Sequence, residues 1–184
     1  MSRTAAEHKA RAPRRLGFAI LTVSTSRHRR SVEGEVVEDP SGSLAEKLLK
    51  EAGHEVVMRT LVSDDEKMIR RAVEAAIKNP KVHAIVSCGG TGVVPSDVTI
   101  ETVSSLLEKE LPGFGEIFRR ITYDEIGSVA ILTRAVAGVV KGKAVFCLPG
   151  SPQAVDLAVR HLIVAEAPHI VEHAREEPGT SVRS

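Results

Sequence analysis

Two short strings concentrate the residues able to do chemistry. The first, SCGGTGVVPSD, places Gly89, Gly90, Thr91 and Gly92 just after an apolar run and brings in Asp97 before a helical stretch. Glycines at such a point have no side chain to keep a phosphate away from the backbone, and the helix N-terminus beyond them favours an anion. The string is not a Walker A loop, because no Lys-Ser/Thr pair follows, and it lacks the GxGxxG register of a dinucleotide fingerprint. A bare structural turn is the competing reading. The second string, LPGSPQ, leads through Pro149, Gly150, Ser151 and Pro152 into another helix, with Ser151 suited to N-cap it and Pro152 to open it. A well-capped helix start would account for that string alone, but two such corners in one small domain suggest one shared pocket.

Carboxylates complete the pattern. Asp97 would cap the helix it precedes, and Asp64 and Asp65 would favour the first turn of theirs through the helix dipole, a reading that suits Asp65 best. If the glycine turns hold phosphates, acidic residues at neighbouring strand ends are where magnesium would be held, since that ion takes oxygen ligands and keeps several waters. A metal between carboxylates and phosphates would stabilise a departing pyrophosphate, which fits phosphoryl or nucleotidyl transfer. Arg134 interrupts an apolar context and suits bidentate pairing with phosphate. The seven histidines are scattered, with no HExxH motif, so the sequence offers zinc no support.

The elements that must position these groups follow from periodicity. GFAILTV over 17 to 23 reads as a strand covered on both faces. The charged stretch STSRHRRSVEGEVVEDPSG reads as a long loop, and a helix then runs to Gly53. HEVVMRTLV is a second strand, followed by a helix from a Ser63/Glu66 capping box to just before Pro80. VHAIVSC is the third strand, with helices expected over 99 to 110 and 116 to 120. Lys141-Gly142 joins two extended runs as a hairpin, and a last helix covers 153 to 165. This order describes a three-layer α/β/α domain with a mostly parallel sheet and an antiparallel edge hairpin.

Bulk properties restrict the alternatives. A chain of 184 residues, 42% hydrophobic and 27% charged, fits one globular domain. We expect a basic arm over 1 to 15, a ligand-binding domain over 16 to 171 and a flexible tail over 172 to 184. The arm carries +4 and the remainder −3, which together give the net +1. With aromatic residues at 3% and no Trp, base stacking is disfavoured, and RHRR at 27 to 30 reads as a solvated face rather than a nucleic-acid contact. No stretch reaches the roughly 18 to 20 apolar residues that span a bilayer. Cys88 and Cys147 suit buried thiols in a reducing, cytoplasmic setting.

The ordered blocks SCGGTG with Asp97, PGFGEIFR, SVAILTRAVAG and LPGSPQA resemble the MoaB/MogA family of molybdenum cofactor biosynthesis proteins, the molybdopterin adenylyltransferases, nearer the MoaB branch. The resemblance runs from about residue 16 to 164. It implies an α/β/α fold assembling as trimers or hexamers, and transfer of AMP from Mg-ATP to the terminal phosphate of molybdopterin with release of pyrophosphate. Carried onto this chain, it implies Asp64 and Asp97 as the important aspartates, acting in catalysis and on magnesium. It also implies Gly89, Gly90, Thr91, Gly92, Pro149, Gly150, Ser151 and Glu101 as substrate-binding positions. Thr25 stands where many relatives have an aspartate, which would alter the pocket rim. The alternative is a molybdopterin-binding or carrier protein without transfer activity. A small kinase is disfavoured by the missing lysine motif.

Overall fold

The computed structural model describes residues 13 and 15–175; the basic arm and the end of the tail therefore lie almost wholly outside the described residues. A single six-stranded sheet runs β2-β1-β3-β6-β5-β4. β1 is Gly17–Val23, β2 Glu55–Val62, β3 Ala84–Cys88, β4 Lys109–Glu110, β5 Val136–Val140 and β6 Lys143–Leu148. The first four strands in that order are mutually parallel, whereas β5 and β4 are antiparallel additions at one edge. The hairpin between β5 and β6 turns on Lys141 and Gly142, at φ of 47° and 69°. Successive positive φ values match a two-residue turn to the strand twist.

Strand alternation sorts the apolar side chains onto two faces. From β1, Phe18 and Ile20 join one core with Phe146 and Leu148 of β6, while Ala19, Leu21 and Val23 join the other with Val145 and Cys147. Helices α2 (Pro40–Glu51), α5 (Pro112–Ile126), α6 (Pro152–Ala158) and α7 (Val164–Arg175) cover the first face. Helix α3 (Glu66–Lys78) and the short α4 (Thr99–Ser104) cover the second. The expected three layers are present. Both cysteines are fully buried free thiols; burial pushes Cys88 up to about 12 and Cys147 higher still, so neither is a nucleophile near neutral pH.

Several local expectations are corrected. The charged stretch taken as a loop contains helix α1 (Thr25–Val32), which buries no residue and starts on Ser24, whose hydroxyl accepts from the Arg27 amide. Lacking an apolar stripe, it leaves no periodic signal. Helix α3 is capped by Asp65, which accepts from Met68 N–H, and not by Ser63. Helix α4 ends at Ser104, because the chain next forms β4 against β5 and seats Leu106 and Leu107 on the core. The PGFG stretch is no turn but the first turn of α5: Pro112 occupies the opening position, and a Cβ at Gly115 would stand 2.8 Å from the Ala135 carbonyl. The last helix passes through a π-helical turn at Val159–Ile163 and continues to Arg175.

Candidate functional site

The carboxyl ends of the parallel strands carry both glycine corners on one rim. β3 and β6 are neighbours, so Gly89 and Gly150 leave the sheet side by side. A Cβ built on Gly150 would lie 3.1 Å from Gly89 Cα, and Gly89 N–H donates to the Leu148 carbonyl at 3.0 Å. Gly89 and Gly90 hold φ of 105° and 64°, a left-handed pair that side-chain-bearing residues resist. The buried Ser41 hydroxyl of α2 donates to Gly150 O at 2.7 Å and fixes the second corner from below.

Asp64 reaches this rim from two strands away. It follows β2, which is separated from β3 by β1. Thr25, at the start of α1 beyond β1, spans the gap: its Oγ1 accepts from the Asp64 amide and from the Ser63 hydroxyl, each at 3.1 Å. The Asp64 carboxylate then accepts from Val98 N–H at 3.2 Å and sits over Gly90, where a Cβ would fall 2.6 and 2.7 Å from its two oxygens and 2.2 Å from Thr99 Oγ1. Only a glycine fits there. Thr99 is fully buried, and its hydroxyl has no hydrogen-bond partner. Burial raises Asp64 above the ordinary carboxylate range; the negative charges of Asp97 and Glu101 add to this, against the Val98 hydrogen bond.

Asp97 approaches from the loop ahead of α4. It accepts from Val94 N–H at 3.1 Å, and its Oδ2 stands 2.6 Å from where a Gly92 Cβ would be. Asp97 therefore guards the same loop from its outer side. Gly89, Gly90, Thr91, Gly92, Asp97, Pro149 and Gly150 line one cavity of about 390 Å³. Its far wall is apolar and exposed, built by Ile126, Val129 and Leu132 at the end of α5 and in the following 3-10 turn. The sequence reading missed that wall. Its signal was an apolar string, SVAIL, too short and irregular to read as a strand or a helix.

Three expected site residues are not in the lining of this cavity: Asp64, which sits over Gly90 beneath the loop, Glu101 and Ser151. Glu101 does not line the cavity; it pairs with Arg134, whose other nitrogen donates to Gly92 O at 2.8 Å. Burial would raise Glu101, but its own backbone amide and the Arg134 guanidinium outweigh that and hold its carboxyl below the usual range. Arg134 lines the cavity, as its isolation in an apolar string suggested. Ser151 caps α6 through Ala154 N–H at 3.2 Å and faces an adjoining cavity of about 90 Å³, which shares Pro149, Ile126 and Thr133 with the first.

A parallel sheet that gathers glycine corners, two carboxylates and a cavity at the carboxyl ends of its strands is the frame of a ligand-binding α/β protein. Residues 19–169 match the family described as the probable molybdopterin binding domain, and the chain belongs to that family. It is 46% identical over 165 residues to a Bacillus cereus molybdenum cofactor biosynthesis protein B, covering 89% of this chain and 94% of that one. It is 40% identical over 159 residues to a probable molybdopterin adenylyltransferase of Methanocaldococcus jannaschii, covering 86% and 94%. The fold is also similar to the crystal structure of the tungsten cofactor synthesizing protein MoaB from Pyrococcus furiosus, with a TM-score of 0.79 and 40% identity over 90% of this chain and all of that one.

Proposed function

We propose that this protein transfers AMP from Mg-ATP to the terminal phosphate of molybdopterin, releasing pyrophosphate, in molybdenum cofactor biosynthesis. The observation that carries this reading is the convergence of Asp64 and Asp97 on the Gly89–Gly92 loop where it touches the Gly150 corner. The names of relatives at 40 to 46% identity supply the substrate class.

The residues present suit magnesium. The Asp64 carboxylate lies beside the buried, unpartnered Thr99 hydroxyl and has Asp97 as a neighbour, a hard-oxygen set that phosphate oxygens and water would complete. Asp64 and Asp97 would hold the ion, whose contribution is to neutralise charge on the triphosphate and on the departing pyrophosphate. The protein's own residues do the positioning. Side-chain-free backbone at Gly89 to Gly92 admits a phosphate to close range, Arg134 offers the cavity a guanidinium, and Ile126, Val129 and Leu132 give a flat ring system an apolar surface. Holding the two phosphates in line supplies most of the acceleration, because phosphoryl chemistry needs little covalent help from the protein. Neither aspartate acts as general base, since a phosphate is already largely ionised near neutral pH. Assembly as a trimer or hexamer in the cytoplasm belongs to the same reading, supported by the exposed apolar side chains of Ile117, Val129 and Ile131, and light scattering measures it.

The test is incubation of the purified chain with molybdopterin and Mg-ATP, followed by detection of adenylylated pterin. Product is expected from the wild type. Asp97→Asn should fold normally and lose about 100-fold or more in rate, the scale of removing a charge-stabilising group. Tight pterin binding without product would instead make the chain a carrier, and undiminished turnover in Asp97→Asn would overturn the assignment of that residue.

A further inference from the structure

Away from the cavity, helix α7 carries the string HIVEH from His169 to His173. Residues four apart stack on one helical face, and the two imidazoles meet there: their Nε2 atoms are 2.8 Å apart and their ring centroids 4.5 Å apart. At that separation one ring donates its proton to the other. A tetrahedral zinc ion bound at about 2.0 to 2.1 Å by each nitrogen would set them roughly 3.3 Å apart, so a small opening of the two rings replaces the shared proton with a metal. Glu166 Oε2 lies 3.6 Å from His169 Nδ1, on the side where a carboxylate favours the Nδ1–H tautomer and leaves Nε2 a free lone pair.

We propose that His169 and His173 form a binding site for a divalent transition metal of the zinc, nickel or copper class. Imidazole pairs suit these ions, whereas magnesium and calcium prefer oxygen. Among the described residues no set of three or more His, Cys, Asp or Glu side chains could hold an ion, so water would complete the coordination. The inference is independent of the adenylylation reading, because α7 contributes nothing to the lining of that cavity.

Calorimetric titration of the metal-stripped, full-length protein with zinc chloride tests it. One zinc per chain is expected, with a rise in melting temperature on saturation, since a ligand of the native state stabilises it by mass action. His169→Ala and His173→Ala should each weaken zinc binding by about tenfold or more, at least the scale of disturbing a metal's outer shell. His161→Ala should leave it unchanged. Zinc-dependent shifts of the His169 and His173 Nε2 resonances in the wild type give a readout that needs no variant. Absence of a zinc isotherm, or full retention of binding in His169→Ala/His173→Ala, would overturn the proposal.

Discussion

Replacing Gly90 with alanine perturbs the site at the point where its parts converge. Two costs follow from the geometry. At φ of 64°, an L-residue pays about 1 to 2 kcal/mol for the left-handed backbone. The new methyl would also stand 2.2 Å from Thr99 Oγ1 and 2.6 and 2.7 Å from the Asp64 oxygens, so both side chains must move, an overpacking of about 1 to 3 kcal/mol. The sum is about 2 to 5 kcal/mol, which lowers the urea midpoint by about 1 M or more if the slope is near 2 kcal/mol per M. Gly34 provides the internal control: its φ is 87°, but nothing lies within 4 Å of its Cβ direction, so Gly34→Ala carries the backbone cost alone. Parallel urea unfolding of both variants, with adenylyl transfer measured on each, separates the two contributions. Equal midpoint shifts, or wild-type transfer by Gly90→Ala, would refute the claim that Asp64 and Thr99 are packed against this glycine.

Further outcomes follow from the same geometry. Thr25→Val removes the acceptor that holds the Asp64 amide and the Ser63 hydroxyl; at this exposed position we expect less than about 1 kcal/mol in stability but a clear fall in transfer rate, with Thr25→Ser restoring it. Glu101→Gln removes one of the negative charges that raise Asp64, so the carbon-13 titration midpoint of the Asp64 carboxylate should move down. His54 and His83 accept from the amides of Leu16 and Gly17 through Nδ1, and burial depresses both imidazoles below their ordinary value of 6.5. The unfolded chain then binds more protons than the folded one. Their contribution is full above pH 6.5 and lost as pH falls through the depressed folded values, so unfolding free energy should decline from pH 7 to 5, with a shallower decline in His83→Asn.

The distribution of what was legible has a physical basis. Apolar runs of five to seven residues in β1, β3 and β6 are local signals, since a buried strand must be apolar along its own length; hence sheet, layers and both glycine corners were readable. Helix α1 was not, because it stands on one cap and buries nothing, and a solvated helix leaves no stripe. The capping of α3 was misread: Ser63 and Glu66 have the spacing of a capping box and Asp65 that of a dipole partner, whereas Asp65 accepts from Met68 N–H and the Ser63 hydroxyl donates to Thr25. The pairing of His169 with His173 escaped notice because the reading sought HExxH, while the helix brings together any two residues four apart.

By itself, then, the chain's order of residue types determined a parallel α/β sheet with glycine loops and acids after its strands, because each of those is specified within a few neighbouring positions. It did not determine that Asp64 would cross over the end of β1 to reach a loop 26 residues further on, that Gly150 would press against Gly89, or that Glu101 would be taken up by Arg134 instead of facing the cavity. Those are contacts between segments distant along the chain, set by strand order and by which side chains reach across it, and tertiary packing alone decides them.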